Sequence, residues 1–192
     1  PRGGVWVGTW GGGVFYYDGK DWTKYTTINS SLESNDIISI SVDLENTVWF
    51  APGYGHVSSF NGKNWEKYTS IPRQIHRSIV DKNNVKWFAG NGQGLCRYSE
   101  NSIIIYSHTY ESPIRSNIPL GLAVDDDNSL WVGYDRQYGI SCIHDDDITL
   151  HEEVGGKTLY SISAMDIDSK GSIWMASNDP NYGVWRLDRD GT

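Results

Sequence analysis

Cysteine, positive charge and long apolar runs are what this sequence has least of. With only Cys96 and Cys142 in 192 residues, a disulfide-stapled scaffold is excluded, and the pair is compatible with either redox compartment. No segment approaches the roughly 18 to 20 apolar residues of a membrane-spanning helix, so no membrane insertion by this segment is expected. Lys and Arg total 16 against 24 Asp and Glu, a formal net charge of −8. Without a basic stripe the main driving force for binding phosphate backbones is lacking, and nucleic acid is not an expected partner. No stretch keeps a capped 3.6-residue apolar rhythm, which predicts almost no helix. The opening PRGGVW has no initiator Met and no basic-then-apolar leader, and reads as the start of an excised or mature segment.

Chemistry-bearing patterns are equally sparse. His56, His76, His108, His144 and His151 show no HExxH or other metal-ligand spacing. There is no G-x-S-x-G elbow, and the glycines of GTWGGG fall in a strand connection rather than ahead of a helix. The runs Asp125-Asp126-Asp127 and Asp145-Asp146-Asp147 offer hard oxygen ligands but lack the D-x-[DN]-x-[DN]-G-x₅-E pattern of a calcium loop, and both fall where a turn is due. No catalytic residue, metal or cofactor is expected.

What is abundant is aromatic: nine Trp and twelve Tyr, enough apolar area for a packed core without aliphatic runs. They recur in a repeat. A Trp following a β-branched residue, Leu or Lys stands at Trp6, Trp49, Trp87, Trp131 and Trp174, 38 to 44 residues apart, and an Asp precedes each of the last four by six residues, at Asp43, Asp81, Asp125 and Asp168. The corresponding Asp of Trp6 would fall at position zero. Each unit reads as four short strands: an alternating run such as IISISVD, a polar turn, the Trp strand, a Gly-bearing loop, a third strand such as GVFYYDG, and a fourth opening at Trp22 or Trp65. Asp18-Gly19 and Asn61-Gly62 supply the hairpin turns between the last two.

Four strands per unit of about 40 residues predicts an all-β chain, a β-propeller of four-stranded antiparallel blades. The units run approximately 1–35, 36–72, 73–116, 117–158 and 159–192, a single propeller domain or fragment, with weaker fourth strands at SIIIYSH and ITLHEEV. The first unit lacks its inner strand and the last its outer one, giving 18 strands. These ends do not complete each other, which points to a segment of a larger ring, most simply of seven blades; a trimmed five-bladed ring or closure through a second chain are the alternatives. The incomplete terminal blades are also candidate surfaces for a protein partner or for self-association.

A residue that recurs in every unit is architectural, so the repeated Asp is expected to cap its turn and the repeated Trp to pack between blades. Cys96 and Cys142 lie on third strands of adjacent units in neighbouring columns, and buried free thiols are the plainer expectation. Function is sought instead where the units differ. Between second and third strands they carry Trp10; Tyr54; Asn91 and Gln93; Arg136 and Tyr138; Asp179 and Tyr182. These loops are expected on one rim together with the links Asn29 to Asn35 and Ser112 to Asn117, and aromatic faces beside amide, Arg and carboxylate groups suit a polar, ring-bearing small molecule or oligosaccharide.

The segment VWVGTWGGGVFYYDGKDWTKYTTINSSLESNDIISISVD resembles the two-component regulator propeller repeat. The resemblance rests on Trp6-Val7-Gly8-Thr9, Gly12-Gly13, Asp18-Gly19 with Trp22, Tyr25-Thr26, Asn29-Ser30 with Leu32, Ser34-Asn35 with Ile37, and Asp43. It implies a bacterial periplasmic or extracellular sensor propeller that is not an enzyme and that binds a ligand, often an oligosaccharide, ahead of a membrane span and a histidine kinase. Later units depart from the pattern, with APGYGH and YDRQYG in place of the Gly-rich loop. Two other readings remain open. One is a lyase resembling streptogramin lyase, which shares the Trp-Phe motif of WFAP and WFAG and uses a His with a divalent metal; the other is a lectin-like or protein-interaction propeller.

Overall fold

The computed structural model describes residues 3–108, 114–145 and 147–188. Asp146 and the beginning of the link expected from Ser112 lie outside the described residues. Strands β1 (Val5–Gly8), β2 (Val14–Tyr17) and β3 (Trp22–Tyr25) form a three-stranded sheet. Four-stranded sheets follow from β4 (Ile37–Val42), β5 (Val48–Pro52), β6 (Val57–Phe60) and β7 (Trp65–Tyr68); from β8 (Ile75–Val80), β9 (Lys86–Gly90), β10 (Gly94–Ser99) and β11 (Ser102–Tyr106); and from β12 (Pro119–Val124), β13 (Leu130–Tyr134), β14 (Ile140–His144) and β15 (Asp147–His151). A small hairpin, β16 (Glu153–Val154) with β17 (Lys157–Thr158), precedes a final three-stranded sheet of β18 (Ile162–Ile167), β19 (Ile173–Ser177) and β20 (Val184–Leu187). Each sheet is an antiparallel meander, and the described residues contain no helix.

One expectation is corrected. ITLHEEV is not a single fourth strand, because β15 stops at His151 and β16 begins two residues later. Gly155 and Gly156, at φ of 59° and 71°, provide the two positive-φ residues of a tight hairpin turn, so the described residues form twenty strands where eighteen were expected.

The Asp-Trp spacing has a direct physical basis. In three repeats the carboxylate works with both oxygens. Oδ1 of Asp43, Asp125 and Asp168 accepts backbone N–H bonds within its own turn, while Oδ2 accepts the indole N–H of Trp49, Trp131 and Trp174 at 2.9, 2.8 and 3.0 Å. The turn and the adjacent core ring are thus tied by one side chain. Trp6 is the exception, for its indole N–H is buried without a partner among the described residues.

The described chain divides into two compact units, one comprising residues through Val80 with 84–91 and 96–104, the other 81–83, 92–95 and 105 onward. In the first, two clusters form the core. Trp6 and Tyr25 meet Phe50, Phe60 and Trp65 with ring centroids 5.2 to 6.0 Å apart, around buried Val14, Leu32, Ile37 and Val48. Trp49 packs against Tyr68, Phe88 and Tyr98 over Ala51, Val57, Ile71, Ile75 and Cys96. Successive sheets are in register here, the Ser39 and Ser78 hydroxyls of β4 and β8 lying 3.1 Å apart. In the second unit Ile140, Leu159, Ile162, Ile173, Met175 and Leu187 form the core. Cys96 and Cys142 are both free, and burial pushes the Cys96 thiol up to about 12.

The glycine that opens the third strand has a steric reason. Gly13, Gly94 and Gly139 all take positive φ, and a Cβ on any of them would lie 2.1 to 2.2 Å from the carbonyl oxygen ending the fourth strand, at Tyr25, Tyr106 and His151. At Gly183, where the sheet has no fourth strand among the described residues, the space is open. In the second repeat this column is occupied by His56.

Candidate functional site

The loops joining second to third strands and the links joining one sheet to the next are hydrogen-bonded to each other. In the first unit Gly13 N–H donates to Asn35 O, Gly53 N–H to Asp36 O and Asn91 N–H to Gln74 O, at 2.9 to 3.0 Å. In the second, Ser161 N–H donates to Arg136 O and Asn178 N–H to Ser161 O. Loop and link therefore share a rim within each unit.

The link Asn29 to Asn35, expected to help line that rim, is largely consumed by its own architecture. Asn29 Oδ1 accepts from Thr26 N–H, Ser30 Oγ donates to Thr26 O, Asn35 Oδ1 accepts from Thr27 N–H, and Leu32 is buried. The residues carrying the family resemblance are here structural. The other expected positions divide similarly. Trp10 and Tyr54 stand 72% and 60% exposed, and Asn91, Gln93, Arg136 and Tyr138 are exposed too. Asp179 instead caps its own turn, accepting from the backbone and side chain of Asn181, and Tyr182 stacks on Tyr160 with centroids 4.8 Å apart. Arg136 sits at a φ of 54°, its Nε 3.6 Å from Asp135 Oδ2, and Ser161 opposite it has a φ of 50°. Two non-glycine residues in the left-handed region at one loop crossing is strain of the kind that gathers at binding sites.

Two features escaped the sequence reading. Every inner strand carries an irregularity at its start, with register shifts between Ile37 and Ser39, Ile75 and Arg77, Pro119 and Gly121, and Ile162 and Ala164. The extra residues are Ile38, His76, Leu120 and Ser163. Such bulges re-aim a side chain, and His76 is brought to hydrogen-bond Asn91; burial first and the charge of Arg77 second lower its pKa. The second feature is a charged relay in the first unit. Glu33 Oε1 accepts from Lys67 Nζ at 2.8 Å, Glu33 Oε2 lies 2.7 Å from His56 Nδ1 and accepts the His56 backbone N–H, and His56 Nε2 accepts from Arg73 Nε at 3.1 Å. The Lys67 bond, followed by the His56 bonds, holds the Glu33 carboxyl down to about 2.

The acidic runs behave as turn elements where described. Asp125 caps its turn and Asp126 accepts from Lys82 Nζ at 3.0 Å. Among the described residues no three His, Cys, Asp or Glu side chains are grouped as metal ligands. A cavity of about 230 Å³ lies in the second unit, lined by Trp131, His151, Ile173 and Leu187 beside the Asp125–Asp127 turn and Asp188. Its lining matches, repeat for repeat, the Trp6, Tyr25, Val48 and Phe60 group of the first unit, where Trp65 of a fourth strand fills the space. The last sheet has no fourth strand among the described residues.

No family model matches the chain, and no curated protein matches it in sequence. Solved structures match along almost its whole length. The extracellular domain of a proposed one-component system of B. thetaiotaomicron aligns over 96% of this chain and 26% of its own, at 19% identity and a TM-score of 0.75. That of a proposed hybrid two-component system of the same organism aligns over 98% of this chain and 27% of its own, at 20% identity and a TM-score of 0.75. Virginiamycin B lyase of Staphylococcus aureus aligns over 100% of this chain and 65% of its own, at 16% identity and a TM-score of 0.79. The chain spans about a quarter of the sensor domains it matches, and the fold it shares with all three is the β-propeller.

Proposed function

We propose that this chain belongs to a non-enzymatic, ligand-sensing β-propeller, the periplasmic or extracellular part of a bacterial two-component signalling protein, and that its ligand is an oligosaccharide. The observation that carries this reading is the exposure of Trp10 and Tyr54 on the loop rim. The exposed Trp22 and Trp174 rings are covered on one side by Tyr17 and Arg186, whereas Trp10 and Tyr54 expose flat apolar faces at positions where the units differ. Such faces suit the apolar face of a sugar ring, with Asn91 of the same unit as a polar group able to fix its hydroxyls. The fold shared with the extracellular domains supports the setting.

A thermal-shift screen against oligosaccharides, with and without divalent metal ions, tests the reading, because a ligand selective for the native state raises the midpoint by linkage. A shift from one glycan class without metal, abolished by Trp10→Ala or Tyr54→Ala, is the expected result. The His56–Glu33 pair favours a second reading, a lyase like the Staphylococcus aureus enzyme in fold. A shift that requires metal supports that alternative, and the absence of any shift favours a protein partner.

A further inference from the structure

His56 is the place to look, because it breaks the glycine column at the start of the third strand and is nevertheless buried, 9% exposed. Both ring nitrogens are engaged, and their partners determine the proton. Arginine Nε always carries hydrogen, so the Nε2 that accepts from Arg73 presents a lone pair and the ring proton sits on Nδ1, donated to Glu33 Oε2. Glu33 is in turn anchored by Lys67 and by the His56 backbone N–H. Gly55 makes this approach possible: at a φ of 98°, a Cβ there would come within 2.9 Å of the Glu33 Cβ. Three segments, the first link, the second-to-third-strand loop and β7, thus converge to hold one exposed arginine.

A surface arginine needs no such support for its own solvation. With Nε turned inward to His56, the two terminal nitrogens form the outward edge, and they make no hydrogen bond to the described residues. Lys67 is neutralised by Glu33 and the imidazole is uncharged in this hydrogen-bonded form, so the cluster carries one uncompensated positive charge in a chain of net −8. A single planar two-donor edge of this kind matches a carboxylate, which it can bind bidentately. We propose that Arg73 is the recognition group for a carboxylate on the ligand, with His56 and Glu33 as positioning residues. Building on the oligosaccharide reading, this makes the ligand a uronate-bearing saccharide, and the exposed Tyr54, two residues before His56, offers its ring to the sugar face.

The test is calorimetric titration with oligomers of glucuronate, galacturonate, mannuronate and guluronate, each beside its carboxyl-reduced neutral counterpart and a sulfated neutral oligomer. At least one uronate is expected to bind about tenfold tighter than its reduced form. Arg73→Lys is expected to lose that margin without moving the thermal midpoint. His56→Gln, whose amide can donate to Glu33 and accept from Arg73, is expected to retain it where His56→Ala does not. The ¹⁵N resonance of His56 Nε2 is expected to move on uronate titration and to stay still with the neutral oligomer. Equal binding of acidic and reduced forms, tighter binding of the sulfated oligomer, or an Arg73→Lys variant indistinguishable from the parent overturns the inference and leaves the saccharide reading intact. Failure of every saccharide overturns both.

Discussion

A single hydrogen bond distinguishes Trp6 from Trp49, Trp131 and Trp174, and it makes the column's energetics measurable. Trp49→Phe removes ring area together with the bond to Asp43, whereas Trp6→Phe removes area but no bond among the described residues. The first variant is expected to be about 1–3 kcal/mol more costly than the second in urea denaturation, the range for losing a buried partner. Asp43 carries more than its turn, because the buried Lys86 ammonium lies 3.2 Å from Oδ2 and 5.4 Å from the Trp49 ring centre. Asp43→Ala leaves that cation unpaired and is expected to cost about 3–5 kcal/mol, clearly more than Asp168→Ala, where the half-buried carboxylate pairs with no buried lysine among the described residues. Glu33 gives the pH dependence. Its pKa is depressed from 4.5 to about 2 on folding, so the stability it contributes is fully present above pH 4.5 and is lost as pH falls toward 2. Urea midpoints of Glu33→Gln and the parent are expected to differ at neutral pH and to converge by pH 2; a constant gap would show that the relay is not the source.

At the scale of the strand, sequence and structure agree where a residue's local duty coincides with its repeat position. The Trp strand, the Asp turn and the Asp18 and Asn61 hairpins were legible because each motif is bonded within about six residues of itself. The β16–β17 hairpin carried its signal in Gly155-Gly156, but extending the preceding strand through Glu153 concealed it. The irregularities at Ile38, His76, Leu120 and Ser163 left no trace, since one extra residue at a strand's start leaves the alternation beyond it intact. Repeat logic still makes a prediction for the last sheet, which has three strands among the described residues. Leu187 stands where the second repeat has Phe60, and it borders the 230 Å³ cavity. Leu187→Phe places a ring toward that space and is expected to stabilise the chain by about 0.5–2 kcal/mol, read as a rise in the urea midpoint. A lowered midpoint would show that the cavity wall is too rigid to accept the larger side chain.

Over the whole molecule, what was legible follows from how far apart in sequence the interacting groups lie. Trp10 and Tyr54 could be singled out because they interrupt a pattern, but nothing in the sequence could join Glu33, His56, Lys67 and Arg73, which come from separate segments and meet only through the fold. That local cation cluster sits in a chain of net charge −8, and the two scales have opposite consequences for an acidic ligand. The field of the whole chain repels a uronate at a distance and is screened as the Debye length falls from about 30 Å at 0.01 M salt to about 8 Å at 0.15 M. The Arg73 edge acts within hydrogen-bonding distance, well inside either length. Stopped-flow association of a uronate oligomer is therefore expected to quicken a few-fold between those salt concentrations, with dissociation nearly unchanged. Ligands of a basic groove slow with salt instead. A slowing here would mean that the positive potential at Arg73 and Lys67 outweighs the net charge along the approach, whereas complete insensitivity would count against a charged ligand at this site.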